Sequence, residues 1–217
     1  MRRTFQSLAV TALILLPASK GFAQAWAYPA FQPPRTVSRE FNFGVADANE
    51  AGTTLLFQWR EEAGRGNQLS LDAGIADPNT PRSDLILFFG GQFAHQMTLA
   101  NADMPLDFLF TVGVYLATSN FTLFRLPFGV SVGHRFALGG PTAITPYLHP
   151  RVSIDVCSRD CGDQSDLSLD FDLGLNFELT RTLAIRASAL VAGSNRFGND
   201  GFGIALAWKP LGLARSK

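Results

Sequence analysis

A chain of 217 residues with 18 basic and 18 acidic side chains is neutral overall, without the basic excess or stripe that a nucleic-acid partner needs. Apolar residues make up 47% and charged ones only 17%, with 19 Phe. That is oily for a soluble protein, yet after the N-terminal region no run of 18 apolar residues exists, which excludes a membrane-crossing helix there.

The N-terminal region comes first. Met1-Arg2-Arg3 precedes an apolar core, Leu8–Leu16 (LAVTALILL), which Pro17 ends, and small and polar residues continue to Ala23-Gln24-Ala25. A positive start, a short oily run and an A-x-A site predict a signal peptide over residues 1–25, cut after Ala25, with Ala23 the alternative. No Cys follows the site, so a lipid anchor is not expected. Removing Arg2, Arg3 and Lys20 and no acid leaves 15 basic against 18 acidic residues, a net charge of −3. The remainder fits one domain: a lead-in (26–36), a strand-forming region (37–209) and a tail (210–217).

Trp26–Arg35 (WAYPAFQPPR) has three prolines and no period and reads as an irregular lead-in on the periplasmic side. Ten strands are predicted after it. They are Val37–Ala46, Thr53–Arg60, Gln68–Ala76, Leu85–Gln96, Leu106–Ala117, Leu123–Phe136, Ile144–Val156, Leu167–Leu179, Leu183–Ala192 and Gly201–Lys209. Each sets large apolar side chains on alternate positions, the two-residue period of an extended strand. Phe88-Phe89 and Gly90-Gly91 blur the fourth strand, and Pro146 and Pro150 each delete a ladder donor from the seventh. Eight strands remain open if the second and fourth are misread.

The clearest strand is Leu167–Leu179 (LSLDFDLGLNFEL). Leu167, Leu169, Phe171, Leu173, Leu175, Phe177 and Leu179 alternate with Ser168, Asp170, Asp172, Gly174, Asn176 and Glu178. Its length exceeds the ~9–11 residues that a tilted strand needs to cross a bilayer.

Alternation alone suits a soluble barrel as well as a membrane barrel; the polar face decides between them. A soluble barrel would show abundant Lys, Glu and Thr there. This chain instead has Gly44, Gly74, Gly113, Gly129, Gly133, Gly174 and Gly203 mixed with isolated Asp, Arg and Tyr, which suits a narrow lumen filled by side chains. The other face is almost continuously Leu, Phe, Val and Ile, as lipid contact requires. The fold class expected is all-β, an antiparallel up-and-down transmembrane β-barrel of about 10 strands.

Here the chain resembles small bacterial outer-membrane β-barrel domain proteins of the outer-membrane protein A type, over Val37 to Lys209. The resemblance rests on the signal peptide, the alternating strands and the last strand GFGIALAW. It implies residence in the bacterial outer membrane among lipopolysaccharide and other lipids, as a monomer. It also implies recognition by the barrel assembly machinery through Phe202, Ile204, Leu206 and Trp208. Nine residues follow Trp208, where that class usually ends on the aromatic residue.

Cys157 and Cys161, the only cysteines, sit in CSRDC and in an oxidising compartment predict a local disulfide pinning an external loop. No second Cys pair or neighbouring His completes a metal site. Asp160, Asp163 and Asp166 lack the Gly and Glu of a calcium loop and read as solvated turn residues.

Asp72, Asp107, Arg135, His149, Arg151, Asp155, Asp170, Asp172, Glu178 and Arg186 fall on the wet face. They read either as an ion-pair network filling a closed barrel or as the lining of a small pore. Arg151 is expected to meet Asp170 or Asp172, and Arg186 to meet Glu178 or Asn176. His149 and Ser153 share a face, but positions i and i+4 of a strand stand about 13 Å apart, out of reach for a catalytic pair. His95 and His134 read as strand-end interfacial residues. No catalytic, cofactor or metal residue is predicted. The expected role is structural or surface interaction through external loops; the alternatives are a small passive channel and a lipid-modifying enzyme.

Overall fold

The computed structural model describes residues 28–48, 52–78, 84–159, 164–193 and 200–210. The predicted signal peptide, Asp160, Cys161, Asp163 and residues 211–217 lie outside them. Eleven strands are present among the described residues: β1 (Arg39–Ala48), β2 (Gly52–Glu62), β3 (Asn67–Asp77), β4 (Ile86–Thr98), β5 (Asp107–Thr118), β6 (Phe121–Gly133), β7 (Phe136–Gly139), β8 (Thr142–Arg159), β9 (Gln164–Glu178), β10 (Leu183–Ala192) and β11 (Gly201–Trp208).

All pairings are antiparallel, and the sheet closes on itself. β1 meets β11, with Phe41 opposite Trp208. β6 and the short β7 both pair with β8, forming one stave broken at His134-Arg135. The eleven segments therefore make a closed barrel of ten staves. Ten, not eight, is the count, because β2 and β4 are full strands of 11 and 13 residues. Closure removes the edges that an open sheet would expose. We call the end where β1 begins and β11 stops the near mouth, and the opposite end the far mouth.

Strand β8 runs through both of its prolines and ends at Arg159, beyond the predicted Val156. Pro150 removes a donor that would point at β6, and the β6–β8 ladder skips from Gly129–Arg151 to Val132–Leu148 without changing register. The β8–β9 ladder on the other side continues through Pro146 and Pro150, so one donor-free edge does not break the stave.

The faces follow the alternation. In β9, Leu167, Leu169, Phe171, Leu173 and Leu175 are exposed, whereas Ser168, Asp170, Asp172 and Asn176 are buried. The exposed ring of Leu, Phe, Ile and Val continues around the wall. Near the near mouth it carries stacked aromatics, Phe41 with Trp208 at 5.6 Å and Phe41 with Phe57 at 6.3 Å. An apolar band with an aromatic girdle is what a wall immersed in lipid requires. The fold is that of a bacterial outer-membrane β-barrel.

Two findings depart from the sequence reading. Residues 28–34, read from the sequence as part of an irregular lead-in on the periplasmic side, are buried inside the barrel. Their physical chemistry explains this: Pro29, Pro33 and Pro34 keep the segment out of the ladder, and its carbonyls take partners from inward side chains instead. The wet face is also not uniformly wet. Toward the far mouth the interior holds an apolar cluster of Leu56, Ile86, Phe88, Leu123 and Tyr115 packed with Tyr28. Phe88 points in and Phe89 out, which resolves the blurred centre of the fourth strand.

Candidate functional site

The interior is organised around the N-terminal segment, and the segment around Phe31. Phe31 is fully buried, with a left-handed backbone (φ 49°) that a non-glycine residue adopts only when its surroundings compensate the strain. Its ring lies over Gly203 and Gly44, where a Cβ on Gly203 would stand 2.7 Å from it. Around this bend, Glu40 accepts two hydrogen bonds from the Arg186 guanidinium (2.7 and 2.7 Å) and one from Arg60 (3.1 Å).

The two arginines spend their other donors on the segment's backbone. Arg60 Nη2 donates to the carbonyls of Ala30 (3.0 Å) and Phe31 (2.9 Å), and Arg186 Nη1 also reaches Phe31 O (3.3 Å). All three charged side chains are at most 2% exposed. Forked guanidinium groups shared between a carboxylate and carbonyls lock geometry as well as charge.

Other staves complete the grip. Gln58 donates to Ala30 O, Ser131 to Gln32 O and Gln96 to Pro34 O. Gln92 donates to the Gln32 side chain. Tyr28 donates to Asp72 Oδ2 (3.1 Å), which also accepts from Gln58 and Tyr115. With the Ala30 N–H donating to Asp172, the segment is fastened to β2, β3, β4, β6, β9 and β10 at once.

The remaining predicted residues fall into pairs. Arg151 meets Asp172 at 3.1 Å, one of its two expected partners. Arg186 donates to Asn176 (2.9 Å), but its carboxylate is Glu40; Glu178 instead binds Arg135 (2.7 Å). Asp155 forms a two-pronged pair with Arg125 (2.8 and 2.8 Å). Asp107 pairs with Arg35 at 2.8 Å. Asp170 is buried opposite Arg151 in the ladder.

His149 Nε2 stands 2.9 Å from Thr111 Oγ1, and its Nδ1 is 3.5 Å from Asp172 Oδ2. Hydroxyl, imidazole and carboxylate stand in a row, but His149 and Asp172 are fully buried, and the Ala30 N–H donates to that same Asp172 oxygen. The N-terminal segment thus covers the carboxylate end of the row. Ser153 bonds Ser168 and not His149. Asp172→Asn is expected to destabilise the inserted barrel by about 1.5–3 kcal/mol, the usual worth of hydrogen bonds to charged groups. The neighbouring Asp170 tempers the loss for Arg151. Urea titration in lipid vesicles measures it.

Sequence reading missed Glu40, Arg60 and Arg125, all inward and paired. Parity held the signal: Glu40 shares a face with Asn42, Arg60 with Gln58, and Arg125 with Gly129 and Ser131. The glycines on that face make room for rings. A Cβ on Gly174 would stand 1.9 Å from the Tyr147 ring, so the ring lies flat across its neighbour strand. Phe202, Ile204, Leu206 and Trp208 all face outward. Cys157 stands in β8 and is buried toward the interior, not in the external loop where it was expected. The Cys161 end of the expected bridge lies outside the described residues. His95 is exposed and bonded to Asn67.

No protein-family model matches the sequence, and no curated protein matches it. Solved structures similar to it are barrels. The β domain of the Bordetella autotransporter BrkA aligns at 12% identity over 79% of this chain and 99% of its own, with a TM-score of 0.49. LpxR from Salmonella typhimurium aligns at 9% identity over 85% and 79%, TM-score 0.45. The KdgM porin aligns at 8% identity over 80% and 99%, TM-score 0.39.

Proposed function

We propose that this outer-membrane β-barrel acts closed, as a structural or surface-interaction protein whose external loops meet lipopolysaccharide or another surface. The carrying observation is the burial of Tyr28–Pro34 inside the barrel, bonded by side chains from six staves. A passive channel needs a continuous wet path, and the apolar cluster of Phe88, Ile86 and Leu123 toward the far mouth works against one. A lipid-modifying enzyme needs its base at the membrane edge; the buried His149 argues against it.

Both ends of the wall lie at the near mouth, which we assign to the periplasm, as barrels of even strand number have it. The far mouth then carries the external loops, with Cys157 and Cys161 bridged beside one of them. The reading takes the barrel as a monomer, inserted by the assembly machinery through the outward face of β11. Conductance in planar bilayers tests it: the protein is expected to give no discrete current steps, and reproducible steps would reject a closed barrel in favour of a channel.

A further inference from the structure

Beneath the near mouth, between the N-terminal segment and the inner wall, lies a cavity of about 190 Å³. Its charges are lopsided. Arg35, Arg60, Arg135, Arg186 and Lys209 line it with a single acid, Glu178. Three carboxylates serve these five cations: Asp107 pairs with Arg35, Glu178 with Arg135, and Glu40 with both Arg60 and Arg186.

Lys209 is the most loosely paired of the five. Its ammonium is 3.9 Å from Glu40 Oε2, beyond hydrogen-bond reach, and that oxygen already accepts from Arg186 at 2.7 Å. Neutral donors complete the wall: Asn176 gives its carbonyl oxygen to Arg186, which leaves its amide hydrogens available, and Thr145 adds a hydroxyl. The rim cations Arg35, Arg135 and Lys209 are 27–37% exposed along their side chains, so an incoming group meets them first. The buried Arg60 and Arg186 form the floor.

We propose that this cavity is an oxyanion site that takes a phosphate or carboxylate group from the near-mouth side, with Lys209 as its principal counter-charge. Positive excess, forked guanidinium groups and neutral donors around one cavity suit multi-oxygen anions. The site does not depend on whether the barrel conducts.

Calorimetric titration of the full-length folded protein with inorganic phosphate, in a maltoside detergent at fixed ionic strength, tests it. Saturable binding is expected. Lys209→Gln should weaken it roughly fivefold, the worth of one partly exposed ion pair, and Lys209→Arg should restore it. Absence of saturable heat, or Lys209→Gln binding as tightly as the parent, would overturn the proposal. Repeating the titration in phosphatidylglycerol nanodiscs identifies the source. Undiminished binding there marks a free anion as the occupant, and binding that is lost there marks a lipid headgroup already held.

Discussion

Glu40→Leu is expected to destabilise the folded barrel by about 3–5 kcal/mol, the loss that follows when one partner of a buried ion pair is removed. Glu40 is the shared acceptor of Arg60 and Arg186, and all three lie out of water. Without it, two guanidinium groups face each other across the bend at Phe31, with only backbone carbonyls and the side-chain amides of Asn42, Gln58 and Asn176 left to accept from them. Carbonyl dipoles do not neutralise two cations at low dielectric. Glu40→Gln keeps one acceptor oxygen and should lose less. Urea titration of the protein folded into lipid vesicles reads both variants, and a loss below about 1 kcal/mol for Glu40→Leu would mean that water reaches the arginines.

The second large effect belongs to the outer face. Leu173, near the middle of β9, is 55% exposed with its side chain in the apolar band. Leu173→Arg is expected to cost about 2–4 kcal/mol, the penalty of a cation at the bilayer midplane. The next residue, Asp172, points at Arg151 and the N-terminal segment, so one step along the strand changes lipid for a buried ion pair. Folding yields into vesicles compare the two sites directly. A tolerated Leu173→Arg would mean that β9 does not present this face to lipid.

The barrel wall was legible because its rule is local. In LSLDFDLGLNFEL every side chain declares its face by parity, and Leu173 and Asp172 stand where that parity puts them. Proline positions needed the ladder itself: whether Pro146 and Pro150 end a strand depends on which neighbour their missing donors would have faced.

The contents of the lumen were only half legible. Arg151 and Asp172 are directly comparable because they lie on adjacent staves. Arg186 and Glu40 are 146 positions apart and meet across β11. That pairing follows from closing β1 on β11, and no local pattern records it. Tyr28–Pro34 was hardest of all. Three prolines mark it as irregular, but only the unmet carbonyls of Ala30 and Phe31, set beside inward Arg60, Arg186 and Gln58, explain why it lies inside. Large apolar residues at inward positions, such as Leu56, Phe88 and Leu123, break the polar pattern because they pack on that segment and on one another.

Labelling at Ala30 tests the filled lumen most directly. Ala30 is 8% exposed, with its carbonyl held by Arg60 and Gln58, and a cysteine is the smallest reactive change there. In a Cys157→Ser, Cys161→Ser background, the Ala30→Cys barrel folded in lipid vesicles is expected to resist a membrane-impermeant maleimide until urea unfolds it. Labelling in the folded state as fast as in the unfolded one would place the N-terminal segment outside the barrel and contradict the account.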